Sequence, residues 1–130
     1  MIKNINHMTI NIKDKEASIL FYGELLALPR LPDFEMDDHR LLYFALPNGV
    51  KLELIEYFFE TGVEQVPPTA KGIIRHFAFE VEDITLLESK IVLYGGEILQ
   101  VSKWVEQLGF TGMLVRDPNG CELEFIQMKR

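Results

Sequence analysis

Ile5-Asn6-His7-Met8-Thr9-Ile10-Asn11-Ile12-Lys13-Asp14 and Ile74-Arg75-His76-Phe77-Ala78-Phe79-Glu80-Val81-Glu82-Asp83 are two versions of one stretch, with His on His and Asp on Asp. Each alternates apolar with polar residues, as a half-buried strand does, and each ends on an Asp placed to cap a helix. A second pair lies farther along each half. Pro47-Asn48-Gly49-Val50-Lys51-Leu52-Glu53-Leu54-Ile55-Glu56 aligns with Pro118-Asn119-Gly120-Cys121-Glu122-Leu123-Glu124-Phe125-Ile126-Gln127. A turn thus leads into a strand that carries a Glu at the same place in both halves.

Behind the first capping Asp, Ala17, Leu20, Phe21, Leu25 and Leu28 fall at helical spacing until Pro29 and Pro32; behind the second, Ile84, Leu87, Ile91 and Tyr94 do so until Gly95-Gly96. Strands are expected at Arg40 to Leu46 and Val50 to Tyr57, with room for a short one near Arg30 to Phe34. In the second half they are expected at Glu97 to Val101, Thr111 to Arg116 and Glu122 to Met128. The pattern predicts an α+β fold of two tandem βαβββ modules, about residues 1–65 and 71–130. They form one domain over 1–130, joined near residues 65–71 past Pro67-Pro68, with curved mixed sheets around a cleft.

Composition narrows the function. The 130 residues suffice for one core without staples, and 48% hydrophobic with 25% charged residues is ordinary globular usage. A formal charge of −7 argues against a nucleic-acid partner, whose phosphates call for clustered Lys and Arg. The single cysteine, Cys121, forms no internal disulfide. Met1-Ile2-Lys3-Asn4 opens no apolar signal region and no apolar run approaches a membrane span, so the expectation is a soluble cytoplasmic protein that meets no membrane.

Alternation along each strand places His7 with Thr9 and Asn11, His76 with Ala78 and Glu80, Glu53 with Lys51 and Ile55, and Glu124 with Glu122 and Ile126. The opposite faces are apolar and suit packing on the helices. A lone strand histidine is ordinarily a hydrogen-bonded structural residue. Four donors in register are different, because glutamates on a cleft face cost several kcal/mol if left unpaired, about the penalty for a buried ion. The set His7, Glu53, His76 and Glu124 suits one divalent metal ion: zinc, nickel, cobalt, manganese or iron(II). Two chemistries follow. The metal can polarise an oxygen while Glu53 or Glu124 moves a proton between neighbouring carbons, or an iron(II) site can take dioxygen.

Other residues carry weaker signals. His39 sits in the polar run Asp37-Asp38-His39-Arg40 and reads as a loop residue, while Trp104, Phe110 and Tyr57 read as core or as pocket walls. Cys121 reads as a structural thiol, and Arg75 and Arg116 are the cations nearest the site strands.

These motifs identify a resemblance. Ile5 to Ile10, the pairs Phe21-Tyr22 and Leu25-Leu26, Leu52-Glu53-Leu54, Arg75 to Phe79, and Asp117-Pro118-Asn119-Gly120 leading to Leu123-Glu124-Phe125 resemble the vicinal oxygen chelate superfamily, and specifically small bacterial glyoxalase I-like (lactoylglutathione lyase-like) proteins. The resemblance spans nearly the whole chain. It implies that His7, Glu53, His76 and Glu124 are metal ligands, that Glu53 and Glu124 are catalytic, and that the protein is a homodimer. It also implies a small vicinally oxygenated substrate, such as a 2-oxoaldehyde-thiol hemithioacetal, isomerised through a metal-bound enediolate. Alternatives within the superfamily are a methylmalonyl-CoA epimerase-like epimerase, an extradiol-type iron(II) dioxygenase and a metal-free drug-sequestering protein. Asn11 stands where glutathione-holding members usually have arginine, and Leu54 to Phe59 lacks their asparagine and tryptophan. Glu53 stands where the epimerases typically have glutamine. Substrate choice must come from positions at which the halves differ, Asn11 against Glu80 and Lys51 against Glu122.

Overall fold

The structure, a computed structural model, describes residues 1–62 and 66–129. It divides into two compact units, Met1–Thr61 and Gly62–Arg130. Residue 65, at the edge of the expected joining stretch, lies outside the described residues.

In unit 1, β1 (His7–Asn11), α1 (Lys15–Ile19), β2 (Arg30–Glu35), β3 (His39–Ala45) and β4 (Lys51–Tyr57) build a four-stranded sheet of order β1-β4-β3-β2. Unit 2 repeats it with β5 (Phe77–Glu80), α2 (Ile84–Lys90), β6 (Glu97–Val105), β7 (Phe110–Arg116) and β8 (Glu122–Met128), in order β5-β8-β7-β6. The expected α+β fold of two βαβββ modules is present. First and last strands pair in parallel, β1 with β4 and β5 with β8, while the remaining pairs are antiparallel. Among the described residues no helix is long and apolar enough to cross a membrane.

Both helices start as their sequence dictates. The Asp14 carboxylate accepts from the Ala17 amide at 3.0 Å and that of Asp83 from the Leu86 amide at 2.9 Å, each satisfying a donor that the first helical turn leaves orphaned. The first helix departs from the expectation beyond Ile19. Leu20–Leu25 is π-helical, with the Leu26 amide bonded to the Phe21 carbonyl at 3.0 Å. Leu28 therefore falls beyond the helix, which stops at Ala27 in a left-handed conformation (φ 55°) just before Pro29. Packing accounts for the wider turn. It seats Phe21 and Tyr22, both fully buried, against the sheet, and a Cβ on Gly23 would come within 3.2 Å of the Phe44 ring.

Each unit has its own core. Ile10, Leu42, Phe44, Leu52 and Leu54 pack with Phe21 and Tyr22, the two rings meeting edge-on at 5.1 Å. In unit 2, Ile84, Leu87 and Ile91 of the α2 segment lie over the face that carries Met113, Val115, Leu123 and Phe125. Two strand boundaries moved by more than two residues. Strand β5 begins only at Phe77, which leaves His76 just ahead of it, and β6 runs on to Val105. His39, expected in a loop, opens β3 opposite Tyr57.

Leu54 is fully buried and Val92 is 69% exposed. Leu54→Ala is expected to cost about 2–5 kcal/mol through the cavity it leaves, whereas Val92→Ala should stay within about 0.5 kcal/mol. Urea unfolding measures both, and equal midpoints for the two variants would contradict this core.

Candidate functional site

Parallel pairing brings an imidazole and a carboxylate together in each unit. Register sets His7 beside Lys51 and Thr9 beside Glu53 on β1 and β4. His7 Nε2 then lies 3.9 Å from Glu53 Oε1. In unit 2, Phe77 lies beside Leu123 and Ala78 beside Glu124, which leaves His76 Nε2 3.7 Å from Glu124 Oε1. The two halves thus carry the same pair at nearly the same separation.

The remaining ring nitrogens are already used. His76 Nδ1–H donates to Glu122 Oε2 at 2.7 Å, and His7 Nδ1–H donates to the Asn6 side-chain oxygen at 2.7 Å. A carboxylate oxygen only accepts, so Nδ1 of His76 carries the proton, and a neutral ring presents its Nε2 lone pair toward Glu124. This is the ring orientation that metal-binding histidines require, with an acceptor holding the far nitrogen. Two electron-rich atoms facing each other at 3.7 and 3.9 Å repel unless a cation or proton lies between them. Both separations are below the roughly 4.2 Å sum of one metal–nitrogen and one metal–oxygen bond, so a single ion can touch both members of a pair. The donor chemistry therefore fits a divalent cation. Among the described residues no group of three or more His, Cys, Asp or Glu side chains is arranged to hold a metal; each unit assembles two donors.

The surroundings of the two carboxylates differ. Glu53 is buried, with Thr9 Oγ1 donating to its Oε1 at 3.0 Å and the Tyr43 hydroxyl donating to Oε2. At the matching places beside Glu124 stand Ala78 and Leu114, which donate nothing from their side chains. A Cβ at Gly112 would come within 3.2 Å of the Phe110 ring and 3.8 Å of Glu124 Oε2, so the ring lies over the glycine beside Glu124. Glu53 is held from two sides by hydrogen bonds, whereas among the described residues Glu124 accepts none.

Neither Tyr43 nor the Glu122–His76 bond stood out in the sequence. Their signal is register: the short turn at Pro47–Gly49 sets Ala45 opposite Lys51, and hence Tyr43 opposite Glu53. Glu122 also accepts from Arg75 Nε at 3.0 Å. Burial pulls its carboxyl upward, but the hydrogen bonds from His76 and Arg75 and their charges outweigh this and hold it below the usual range. Arg116 reaches Glu97 at 3.3 Å instead. His39 bonds to Asp38, and Trp104, 42% exposed, donates to Glu106. Neither approaches the paired donors of its unit through a hydrogen bond.

The turn ahead of Glu124 is organised by Asp117, whose Oδ1 accepts from the amides of Asn119 at 2.9 Å and Cys121 at 2.8 Å. The Cys121 thiol is pushed up to about 12, by burial first and then by the charges of Asp117 and Glu122. Native protein at pH 8 is therefore expected to resist iodoacetamide and to react rapidly once unfolded; equal rates in both states would contradict a structural thiol.

The Tyr43 hydroxyl is pushed from 10.0 up to about 12, chiefly by its hydrogen bond to Glu53, then by burial and by the carboxylate charge. Because the folded value is raised, this contact stabilises the fold below pH 10 and is lost as pH rises through about 12. Absorbance titration should show one of the four tyrosines ionising late, and Glu53→Gln should bring that step down. A late step unchanged in Glu53→Gln would refute the assignment.

The sequence profile of the Glyoxalase/Bleomycin resistance protein/Dioxygenase superfamily matches residues 4–125. A lactoylglutathione lyase of Haemophilus influenzae is 27% identical over 128 residues, 96% of this chain and 93% of that protein. A glyoxalase family protein from Enterococcus faecalis is 26% identical, with a TM-score of 0.76 over 95% of this chain and 97% of its own. A glyoxalase family protein from Bacillus cereus shares the fold with a TM-score of 0.83 at 16% identity, covering 98% of this chain and 95% of that one. With its paired modules and a profile match over nearly its whole length, the chain belongs to the Glyoxalase/Bleomycin resistance protein/Dioxygenase superfamily.

Proposed function

We propose that the protein is a metal-dependent isomerase or lyase of the glyoxalase I type, acting on a small vicinally oxygenated substrate. The observation that carries this reading is the repeated imidazole–carboxylate pair, each ring held at Nδ1 and presenting Nε2 to a glutamate oxygen at 3.9 and 3.7 Å. The 27% identity to a lactoylglutathione lyase supports it. His7, Glu53, His76 and Glu124 are the proposed ligands of a divalent ion, one per chain. Such an ion would supply positive charge to offset the negative charge that develops on a substrate oxygen as a neighbouring carbon loses its proton.

The protein's own residues divide the remaining work. Thr9 and Tyr43 hold both oxygens of Glu53 and keep it as a fixed donor. Glu124, without such bonds, is the carboxylate free to take a proton from one substrate carbon and return it to the next. Glu122 and Asn6 orient the two rings, and Arg75 steadies Glu122. Both glutamates are thus proposed ligands, and Glu124 is the one that also moves the proton.

Calorimetric titration with zinc or nickel should find one ion per chain. His76→Ala should weaken it by 10-fold or more. Glu124→Gln, which keeps an oxygen donor, should weaken the metal less than His76→Ala does while slowing thioester formation from a 2-oxoaldehyde and a thiol by about 10²–10⁴-fold, the usual worth of a positioned base. Undiminished metal affinity in His76→Ala and His7→Ala, with no turnover of any hemithioacetal, would overturn the proposal.

A further inference from the structure

On the Glu53 face of unit 1, Leu31, Pro32, Phe34, Tyr43 and Lys51 line a hollow of about 350 Å³. Tyr43 is its shared wall. Its hydroxyl points to Glu53, Phe34 meets its ring edge-on at 6.1 Å, and the Lys51 ammonium lies 5.9 Å from the ring centroid. Among the described residues Lys51 makes no ion pair, although unit 1 neutralises its Arg30 with Asp33 and its Arg40 with Glu35 and Glu56. The matching position in unit 2 is Glu122, engaged with His76 and Arg75. Where one half of the repeat puts a carboxylate to orient its histidine, the other puts an unpaired cation over an aromatic wall in a chain of net charge −7.

We propose that this hollow is a substrate subsite for a compact apolar acid, with Leu31, Pro32, Phe34 and the Tyr43 ring taking the hydrocarbon and Lys51 taking a terminal carboxylate. The walls call for an apolar body. A single ammonium, with no arginine fork in the lining, matches one negative charge better than a phosphate dianion, which usually recruits several donors. Because Tyr43 also touches Glu53, the acid lies next to the carboxylate that the preceding section assigns to the metal. The subsite names the substrate class for that reading and rests on it for what becomes of the bound acid.

The full chain is titrated with 4-methylpentanoate and with the neutral isostere 4-methylpentanamide, with and without zinc, following amide resonances by NMR. The acid should bind at least tenfold more tightly than the amide, and should shift Leu31 and Phe34. Lys51→Met should bring the two affinities within twofold, and Lys51→Arg should restore the preference. Lys51 is exposed, so neither change threatens the core. Failure of the acid to bind, equal affinities in the native protein, a preference that survives Lys51→Met, or shifts confined to other residues would each overturn the subsite. The two readings separate cleanly. Loss of zinc binding in His76→Ala with the acid preference intact bears on the metal alone, whereas loss of the preference in Lys51→Met with zinc affinity unchanged assigns it to the subsite.

Discussion

The hydrogen-bonded pairing of the first strand of each unit with its last is the constraint on which everything else depends. Met8 beside Leu52 and Ile10 beside Leu54 place apolar side chains on one face, and Phe77 beside Leu123 with Phe79 beside Phe125 do the same in the second unit. A slip of one residue would turn Glu53 or Glu124 into the core and Leu52 or Leu123 out to the site. Leu52, Leu54, Leu123 and Phe125 are fully buried, so such a slip forfeits several large side chains at once. Hydrocarbon burial on one side of the sheet therefore fixes the geometry of the polar groups on the other.

Much of this was legible because the repeat was read twice. Strand, helix and three further strands recur in the same order, and capping Asp residues announce both helices. Less accessible was whatever depends on partners distant in sequence. The strand order with the fourth beside the first needs tertiary pairing, which alternation within one strand does not encode. The short α1 and its π-helical continuation follow from Tyr22 and Gly23 meeting Phe44, a contact between a helix and a strand well removed in sequence. His39 looked like part of a polar loop, yet its backbone continues the β3 ladder to Tyr57.

The four site candidates were legible as letters, but their supports were not. Thr9 was visible on the His7 face, while its hydroxyl becomes a Glu53 donor only once β1 lies beside β4. Glu122 shared a face with Glu124, and its bond to His76 required the parallel register of β5 and β8. Single-strand periodicity says which way a side chain points; pairing decides what it meets.

Repetition of donors does not make the halves equivalent. A carboxylate that accepts two side-chain hydrogen bonds inside a buried setting loses rotamer freedom. One flanked by alanine and leucine has no such bonds from them. Thr9 and Tyr43 against Ala78 and Leu114 thus give a symmetric pair of glutamates different hydrogen bonding. Lys51 against Glu122 works the same way on charge, because the acidic version is consumed in orienting a histidine while the basic version is left to face a hollow. Under the proposed function, metal binding asks both halves for the same donors, and proton transfer with substrate choice asks them for different neighbours. The neighbours, set by cross-strand register, are therefore where this chain's individuality resides.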